Sequence, residues 1–355
     1  MVKGTLCGPS SSDVSKADVG QYFAPLTFIA DGYASNFRKA LHPHDPSRVV
    51  PTVRSRFHGL ELTDAPLPRP EHGHVLLGAA HPPILLYQIS EHSTRILVDV
   101  PEGLESASPA NGGVANHLRA VVLPALPPNP PELRASLLAA LDAGARPRAM
   151  PNSWLPARGP KRRVSPDGIA VIGDALNMRH PLTGGGMTCA LRDALALSRT
   201  LEPKRVGLHF DQEVAVRQGL RDFHWRRKSG AAVINILAQA LYSLFAADGG
   251  LLCFVGRQRL TLPDENLRAL QLGCFRYFQL GGECVDGPVG LLAGLIRSPL
   301  VLLYHFFSVA LLAIWIEARR YPLPLLPIML LWRGGSILWT ACVVILPYVG
   351  AELRN

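Results

Sequence analysis

Three consecutive glycines, Gly184-Gly185-Gly186, lie inside the segment VIGDALNMRHPLTGGGMTCALRDALALSRTL (Val171–Leu201), which constrains the fold more than any other stretch. The apolar run Ile169–Ile172 reads as a short buried strand. Gly173 lets the backbone turn closely and leaves Asp174 at the strand's carboxyl end, where ligands of α/β sheets bind. A carboxylate in that position suits the hydroxyls of a ribose or ribityl chain. Pro181 ends one loop, and the glycines open a helix whose apolar residues Met187, Ala190, Leu191, Ala194, Leu195 and Leu201 recur on one face. A helix N-terminus clear of side chains offers free N–H groups and partial positive charge to an anion or a polarised oxygen. A glycine run alone is usually a turn or a helix cap; the order strand, Gly-Asp, loop, glycine-opened helix is more specific.

A second run of this kind, Leu26–Ala30, ends in Asp31-Gly32, with Arg38 and Lys39 on a short helix beyond it. A Pro- and Arg-rich region leads to three strand candidates, His74–Ala79, Ile84–Ser90 and Thr94–Val100, the last two joined as a hairpin. An antiparallel sheet with one covered face follows. Asn111–Leu123 and Pro131–Ala143 read as helices separated by the stiff connector PALPPNPP, and the pattern after Leu201 is helical.

The net charge of +9 is concentrated at Arg158–Arg163 and Arg217–Lys228. Such clusters suit a solvated face, an anionic membrane surface or a phosphate cofactor. Nucleic acid is not expected, because no reading-head motif or aromatic-interleaved basic pattern accompanies them. The six cysteines have neither CxxC nor Cys/His ligand spacing, so no metal site is signalled. The first residues lack the apolar core of a signal peptide. Membrane character sits at the other end: Pro299–Ile316 and Tyr321–Gly350 are nearly all apolar, close to the roughly 20 residues a spanning helix needs. His305, Arg333 and the prolines suit a hairpin dipped into one leaflet or an interfacial helix as well as a span, and a buried helical pair has the same pattern.

GDALNMRHPLTGGGMT resembles the second flavin-contacting motif of the squalene epoxidase (squalene monooxygenase) family, a branch of the hydroxybenzoate-hydroxylase-like flavoproteins. IADGYASNFRKAL is similar to that family's Asp-Gly motif. HGHVLLG, LVDVP, MPNSWLPA, INILAQALYSLFAAD, GCFRYFQLGGECVDGPVGLLAGL and HFFSVA extend the resemblance, in the fungal manner, from about Leu26 onward. It implies an α/β fold: a doubly wound FAD-binding domain, an antiparallel β substrate domain and a C-terminal helical membrane-associated region. The corresponding boundaries are a polar leader (1–25), an FAD-domain segment (26–60), the substrate domain (61–150), a second FAD-domain segment (151–230), a helical pocket region (231–298) and the apolar helices (299–355).

The resemblance further implies FAD bound by Gly173, Asp174, Gly184, Gly185, Gly186 and Met187, with Asp31 and Gly32 in support. It implies a squalene channel lined by Tyr87, Pro181, Leu241, Phe245, Phe275, Leu291 and His305. From the residues alone, plain core packing is the favoured reading of the aromatic and leucine positions, and His305 reads equally as a satisfied core histidine. The implied reaction is epoxidation of squalene to 2,3-oxidosqualene by O2 in sterol (in fungi, ergosterol) biosynthesis. Electrons would come from NADPH through NADPH–cytochrome P450 reductase at the endoplasmic reticulum membrane, with membrane lipid as a further partner. No catalytic side chain and no metal is expected, the chemistry being carried by the flavin.

Two departures accompany the resemblance. No GxGxxG occurs in the 355 residues, so the FAD domain is expected to be incomplete, with an inactive chain that does not retain FAD as the competing expectation. Residues 249–263 also interrupt a junction between two helices and are expected to be an insertion.

Overall fold

The computed structural model describes residues 4–6, 20–22, 24–41, 50–78, 81–156, 168–210, 212–245, 252–255, 258–261, 264–322, 324 and 326–354. Two short antiparallel pairs stand apart from the main body's sheets. One is β1 (Gly4–Leu6) with β2 (Gly20–Tyr22). The other is formed by the later strands Leu252–Val255 and Gln258–Thr261, which fall within residues 249–263. The basic run Arg158–Arg163 lies outside the described residues.

The flavin-type segments meet in a parallel pair. β3 (Thr27–Ile29) runs beside a much later strand, Ile169–Val171, with Thr27 opposite Ile169 and Ile29 opposite Val171. Ile29 and Ile169 are buried together with Ala175, while Phe28, on the opposite face, is 48% exposed. The short helix α1 (Phe37–Leu41) follows the Asp31-Gly32 turn, whose glycine has φ +77.

A five-stranded antiparallel sheet forms the second layer, in the order β5 (His74–Leu76), β6 (Ile84–Ser90), β7 (Ser93–Pro101), β4 (Thr52–Thr63), β8 (Arg148–Trp154). The hairpin of β6 and β7 is the one expected from sequence. The strand anticipated at His74–Ala79 stops at Leu76. β4 and β8 have no counterpart in the sequence reading. β4 is the longest strand and pairs with both β7 and β8, but Arg54, Arg56, His58 and Gly59 interrupt its apolar alternation. Its hydrophobicity lies in Phe57, Leu60 and Leu62, too few to stand out in an Arg- and Pro-rich region.

Strand alternation gives the sheet two different faces. Leu60, Leu62, Ile84, Leu86, Ile96 and Val98 are buried against Leu118, Val122, Leu133 and Leu137. These last residues come from a helical run, α2 (Gly113–His117), a π-helical turn at Leu118–Val122 and α3 (Leu123–Ala125), and from α4 (Pro131–Asp142). The opposite face carries Ser55, Phe57, Asp99 and Asn152. Phe57 pairs with Asp99 and Ser55 with Asn152.

With the later parallel strand numbered β9 (Ile169–Val171) and the hairpin β10 and β11, the remaining chain is helical. α5 (Gly186–Thr200) is opened by the glycines, and α6 (Pro203–Val206) is a single turn. α7 (Glu213–Phe245) runs 33 residues, about 50 Å at 1.5 Å per residue. Its first half is amphipathic and basic; from Val233 to Ala240 every residue is buried. α7 therefore ties the cofactor-type half to the helical end. There α8 (Asp264–Gln279), α9 (Glu283–Leu292), α10 (Pro299–Ala318) and α12 (Gly335–Arg354) surround one apolar core with Val233, Leu237, Leu244, Leu291, Leu302, Ala313 and Ile345, and the turn α11 (Leu326–Met329) lies between α10 and α12 in the chain.

α10 and the Leu326–Leu353 stretch are each long and apolar enough to cross a membrane, with only 22% and 39% of their most apolar windows buried. Leu311, Trp315, Trp339 and Leu346 face outward. Arg333, the charge interrupting this region, is paired rather than free: it reaches Glu265 at 3.2 Å and Glu317 at 3.7 Å.

Candidate functional site

Asp31-Gly32 and Gly173-Asp174 follow the ends of neighbouring parallel strands, and one side chain joins them. The buried guanidinium of Arg38 donates to the carbonyls of Gly32 (2.8 Å) and Tyr33 (2.7 Å) on one side and of Ala175 (2.8 Å) and Asp174 (3.0 Å) on the other. Burial lowers the Arg38 pKa, and the nearby Asp31 and Asp174 carboxylates act against that. Asp31 caps the following turn by accepting from the Asn36 N–H at 3.0 Å. Asp174 keeps its side chain 46% exposed, 3.8 Å from the Arg179 guanidinium. It is thus a carboxylate presented at the carboxyl edge of β9 with a cation behind it.

Each glycine of the triplet answers to a separate requirement. Gly184 has φ +65, a left-handed conformation that a Cβ would strain. A Cβ on Gly185 would stand 2.6 Å from Ile234 Cγ2, so only glycine lets the loop pack on α7. Gly186 faces open space, with nothing within 4 Å of a would-be Cβ. No side chain caps the α5 N-terminus. Met187, the next residue, is 79% exposed. Free helix N–H groups beside open space, with a half-exposed carboxylate at the adjacent strand end, fit a ligand that is anionic or carbonyl-rich at one edge and hydroxylated at another. FAD has both.

Behind this surface lies a buried polar network that sequence reading did not find. Asp193 accepts from Arg227 Nε at 3.0 Å, with both side chains at most 2% exposed, and from the Gly173 N–H at 3.3 Å. Arg227 Nη2 and Asn235 Nδ2 both donate to Asn177 Oδ1 at 3.0 Å, and Asn235 also donates to Glu352 Oε1 at 2.8 Å. Asn177 and Arg179 stand inside the glycine motif, which was the available signal. Asp193, Arg227, Asn235 and Glu352 are single polar residues on helices, indistinguishable in sequence from solvated ones.

The expected substrate-lining residues divide. Phe245, Leu291 and His305 are buried and Leu241 is partly buried, all within or beside the helical core. Phe275, on α8, is 39% exposed and meets Phe245 edge-on at 5.7 Å. His305 Nδ1 bonds the Tyr277 hydroxyl at 2.8 Å, and its ring lies where a Gly287 side chain would be. Pro181 opens the turn before the glycines. Tyr87 stands on β6 opposite Arg95, 37% exposed. Trp154 of β8, edge-on to Tyr348 at 5.8 Å, and Leu77, just past the end of β5, pack against the helical core.

An antiparallel sheet laid against glycine-motif loops and followed by helices is a fold shared with solved flavin-binding proteins. The fold is similar to that of the flavin-dependent brominase Bmp2 (TM-score 0.52, 13% identity, 83% of this chain and 64% of that one). It is also similar to HpxO of Klebsiella pneumoniae, solved with FAD and uric acid (TM-score 0.50, 16% identity, 80% and 62%). A family model described as squalene epoxidase matches residues 23–331. The chain belongs to the squalene epoxidase family. The squalene epoxidase of Aspergillus fumigatus is 54% identical over 331 residues, 93% of this chain and 62% of that protein. The Saccharomyces cerevisiae enzyme is 44% identical over 339 residues and mouse squalene monooxygenase 39% over 350. The chain spans about six-tenths of the length of the fungal relatives.

Proposed function

We propose that this chain carries the FAD-contacting loops and the apolar substrate region of a squalene epoxidase acting in sterol biosynthesis. The observation that supports this most directly is the Arg38 clamp, which holds the Asp-Gly and Gly-Asp motifs side by side next to an uncapped, glycine-opened helix. In this reading the Asp174 carboxylate accepts hydrogen bonds from ribityl hydroxyls, and Gly173 lets the backbone approach the ribityl or pyrophosphate region closely. Gly184, Gly185, Gly186 and Met187 face the isoalloxazine edge, and Asp31 and Gly32 support the site from β3. Bound and reduced, FAD supplies the oxygen-transfer chemistry, using O2 and electrons from NADPH delivered through a reductase.

The side chains do the rest. A squalene hydrocarbon offers no charge to bind, so affinity comes from buried apolar area, worth about 25 cal/mol per Å². Pro181, Leu241, Phe245, Phe275, Leu291 and His305, with Tyr87 from the sheet, are the residues proposed to line its path and keep water away. The outward apolar faces of α10 and α12 suit attachment to a lipid bilayer, in this reading that of the endoplasmic reticulum. A second reading has one observation in its favour: among the described residues the parallel sheet has only two strands, with Phe28 and Leu191 exposed, so FAD would be held weakly.

The deciding experiment is the visible absorbance of protein purified in detergent. A stoichiometric flavin spectrum, lost in Asp174→Ala, supports the first reading, and squalene turnover with added reductase follows. A folded protein without flavin, which FAD titration does not restore, supports the second.

A further inference from the structure

The face of the sheet turned toward the glycine loop holds a polar cluster that the proposed reaction does not use. Ser55, Asp99 and Asn152 are each at most 2% exposed, on β4, β7 and β8. Asn152 Nδ2 donates to Ser55 Oγ at 2.9 Å and to Asp99 Oδ1 at 2.7 Å. Across the layer boundary, Ser55 Oγ lies 3.5 Å from His180 Nε2, the longest link of the chain. His180, 2% exposed, stacks on Tyr242 with centroids 3.7 Å apart, and Phe57 meets it edge-on at 5.7 Å.

The hydrogen positions follow from chemistry. The Leu182 N–H can only donate, and it donates to His180 Nδ1 at 3.2 Å. A neutral imidazole accepting at Nδ1 carries its hydrogen on Nε2 and needs an acceptor there, which is Ser55 Oγ. Burial, aided by the positive charge of Arg54, pushes the His180 pKa down to about 3, so the ring is neutral at ordinary pH. His180 caps the turn Pro181–Thr183, and that turn delivers Gly184 in its left-handed conformation.

We propose that Ser55, Asn152 and Asp99 are positioning residues for the glycine-triplet loop, acting through His180. Asp99 fixes the Asn152 amide, Asn152 orients Ser55, and Ser55 accepts from His180 so that the opposite ring nitrogen stays aimed at Leu182. The substrate-side sheet thereby sets the geometry of the loop on which the cofactor reading rests. Without Ser55 the buried Nε2–H has no acceptor, and the ring gains by turning away and releasing the Leu182 amide.

Hydrogen exchange on the full chain in detergent, followed by mass spectrometry over residues 178–190, tests this. Ser55→Ala and Asp99→Leu are expected to speed exchange in the Leu182–Gly184 stretch about tenfold, the equivalent of one lost hydrogen bond. Asp99→Asn, which keeps an acceptor for Asn152, is expected to stay within about twofold of the parent. α4, packed on the far face of the sheet, serves as the control and should not change. Unchanged loop exchange in both disruptive variants overturns the proposal, as does an equal rise in α4, which signals general loosening. Ser55→Ala alters little volume and carries the test if Asp99→Leu does not fold. Added FAD separates the two readings: if it protects no loop amide in the parent, the cofactor assignment fails while the Ser55-dependent effect still decides the anchor.

Discussion

Asp99 shows what one buried carboxyl costs. Burial pushes its pKa from 3.8 up to about 6, with the polar side chains of Ser55, Asn152 and Tyr242 drawing the other way, and its Oδ2 atom has no hydrogen-bond partner. The folded state therefore holds a proton that the unfolded chain has released between those two pH values. The stabilisation is complete below pH 3.8 and lost as pH rises through about 6. Ionised at neutral pH, the group costs about 3 kcal/mol. Asp99→Asn should accordingly gain stability relative to the parent by about that amount between pH 4 and pH 7 in denaturant titrations; a difference constant with pH would refute this. Arg38 carries the opposite dependence on shape. Its planar fork reaches four carbonyls, which a lysine ammonium on a single stem does not reproduce. Arg38→Lys is expected to cost about 2–4 kcal/mol and to weaken FAD binding, read by urea unfolding and flavin titration; unchanged values in both would show that the clamp does not hold the two motifs together.

At the scale of elements, β4 and α8 make the sharpest tests. Leu62, fully buried on the covered face of the sheet, should lose about 3 kcal/mol on truncation to Ala, read as a lowered denaturation midpoint. On α8, a Cβ at Gly273 would come 2.6 Å from Ala313 Cβ and 2.9 Å from the Val309 carbonyl on α10. Gly273→Ile should therefore force these helices apart and destabilise by about 2–4 kcal/mol, seen as a lower melting temperature in detergent. A melting temperature equal to the parent's would mean that the crossing tolerates a side chain. Elements with clean periodicity were legible before folding: β6 coincides with Ile84–Ser90, α4 with all but the last residue of Pro131–Ala143, and α5 begins inside the glycines. β4 and β8 were not: Arg54, Arg56, His58 and Gly59 break the apolar alternation of β4, and the edge strand β8 carries Pro151 within RAMPNSW.

Across the whole molecule, one amide bonds to both the membrane-type end and the cofactor-type end. Asn235 Nδ2, two-thirds of the way along α7, donates both to Asn177 in the glycine motif and to Glu352 near the end of α12. Glu352→Leu removes the acceptor and leaves Asn235 to one partner, so FAD affinity should fall severalfold although the change lies far along the chain. Flavin titration of the variant against the parent measures this, and equal affinity would show that the C-terminal helix does not act on the motif.

Local backbone chemistry marks strand ends and helix starts without any tertiary contact: Gly173 and Asp174 follow a short apolar run, Gly184–Gly186 precede an amphipathic helix, and two apolar stretches approach the length of a membrane span. Which distant groups complete the candidate site emerges only when the layers pack. Arg38 meets carbonyls about 140 residues away, Asp193 meets Arg227, and Ser55 faces His180. A buried polar residue is recognisable only by its partners, and those are chosen by packing layers together rather than by neighbours in the chain.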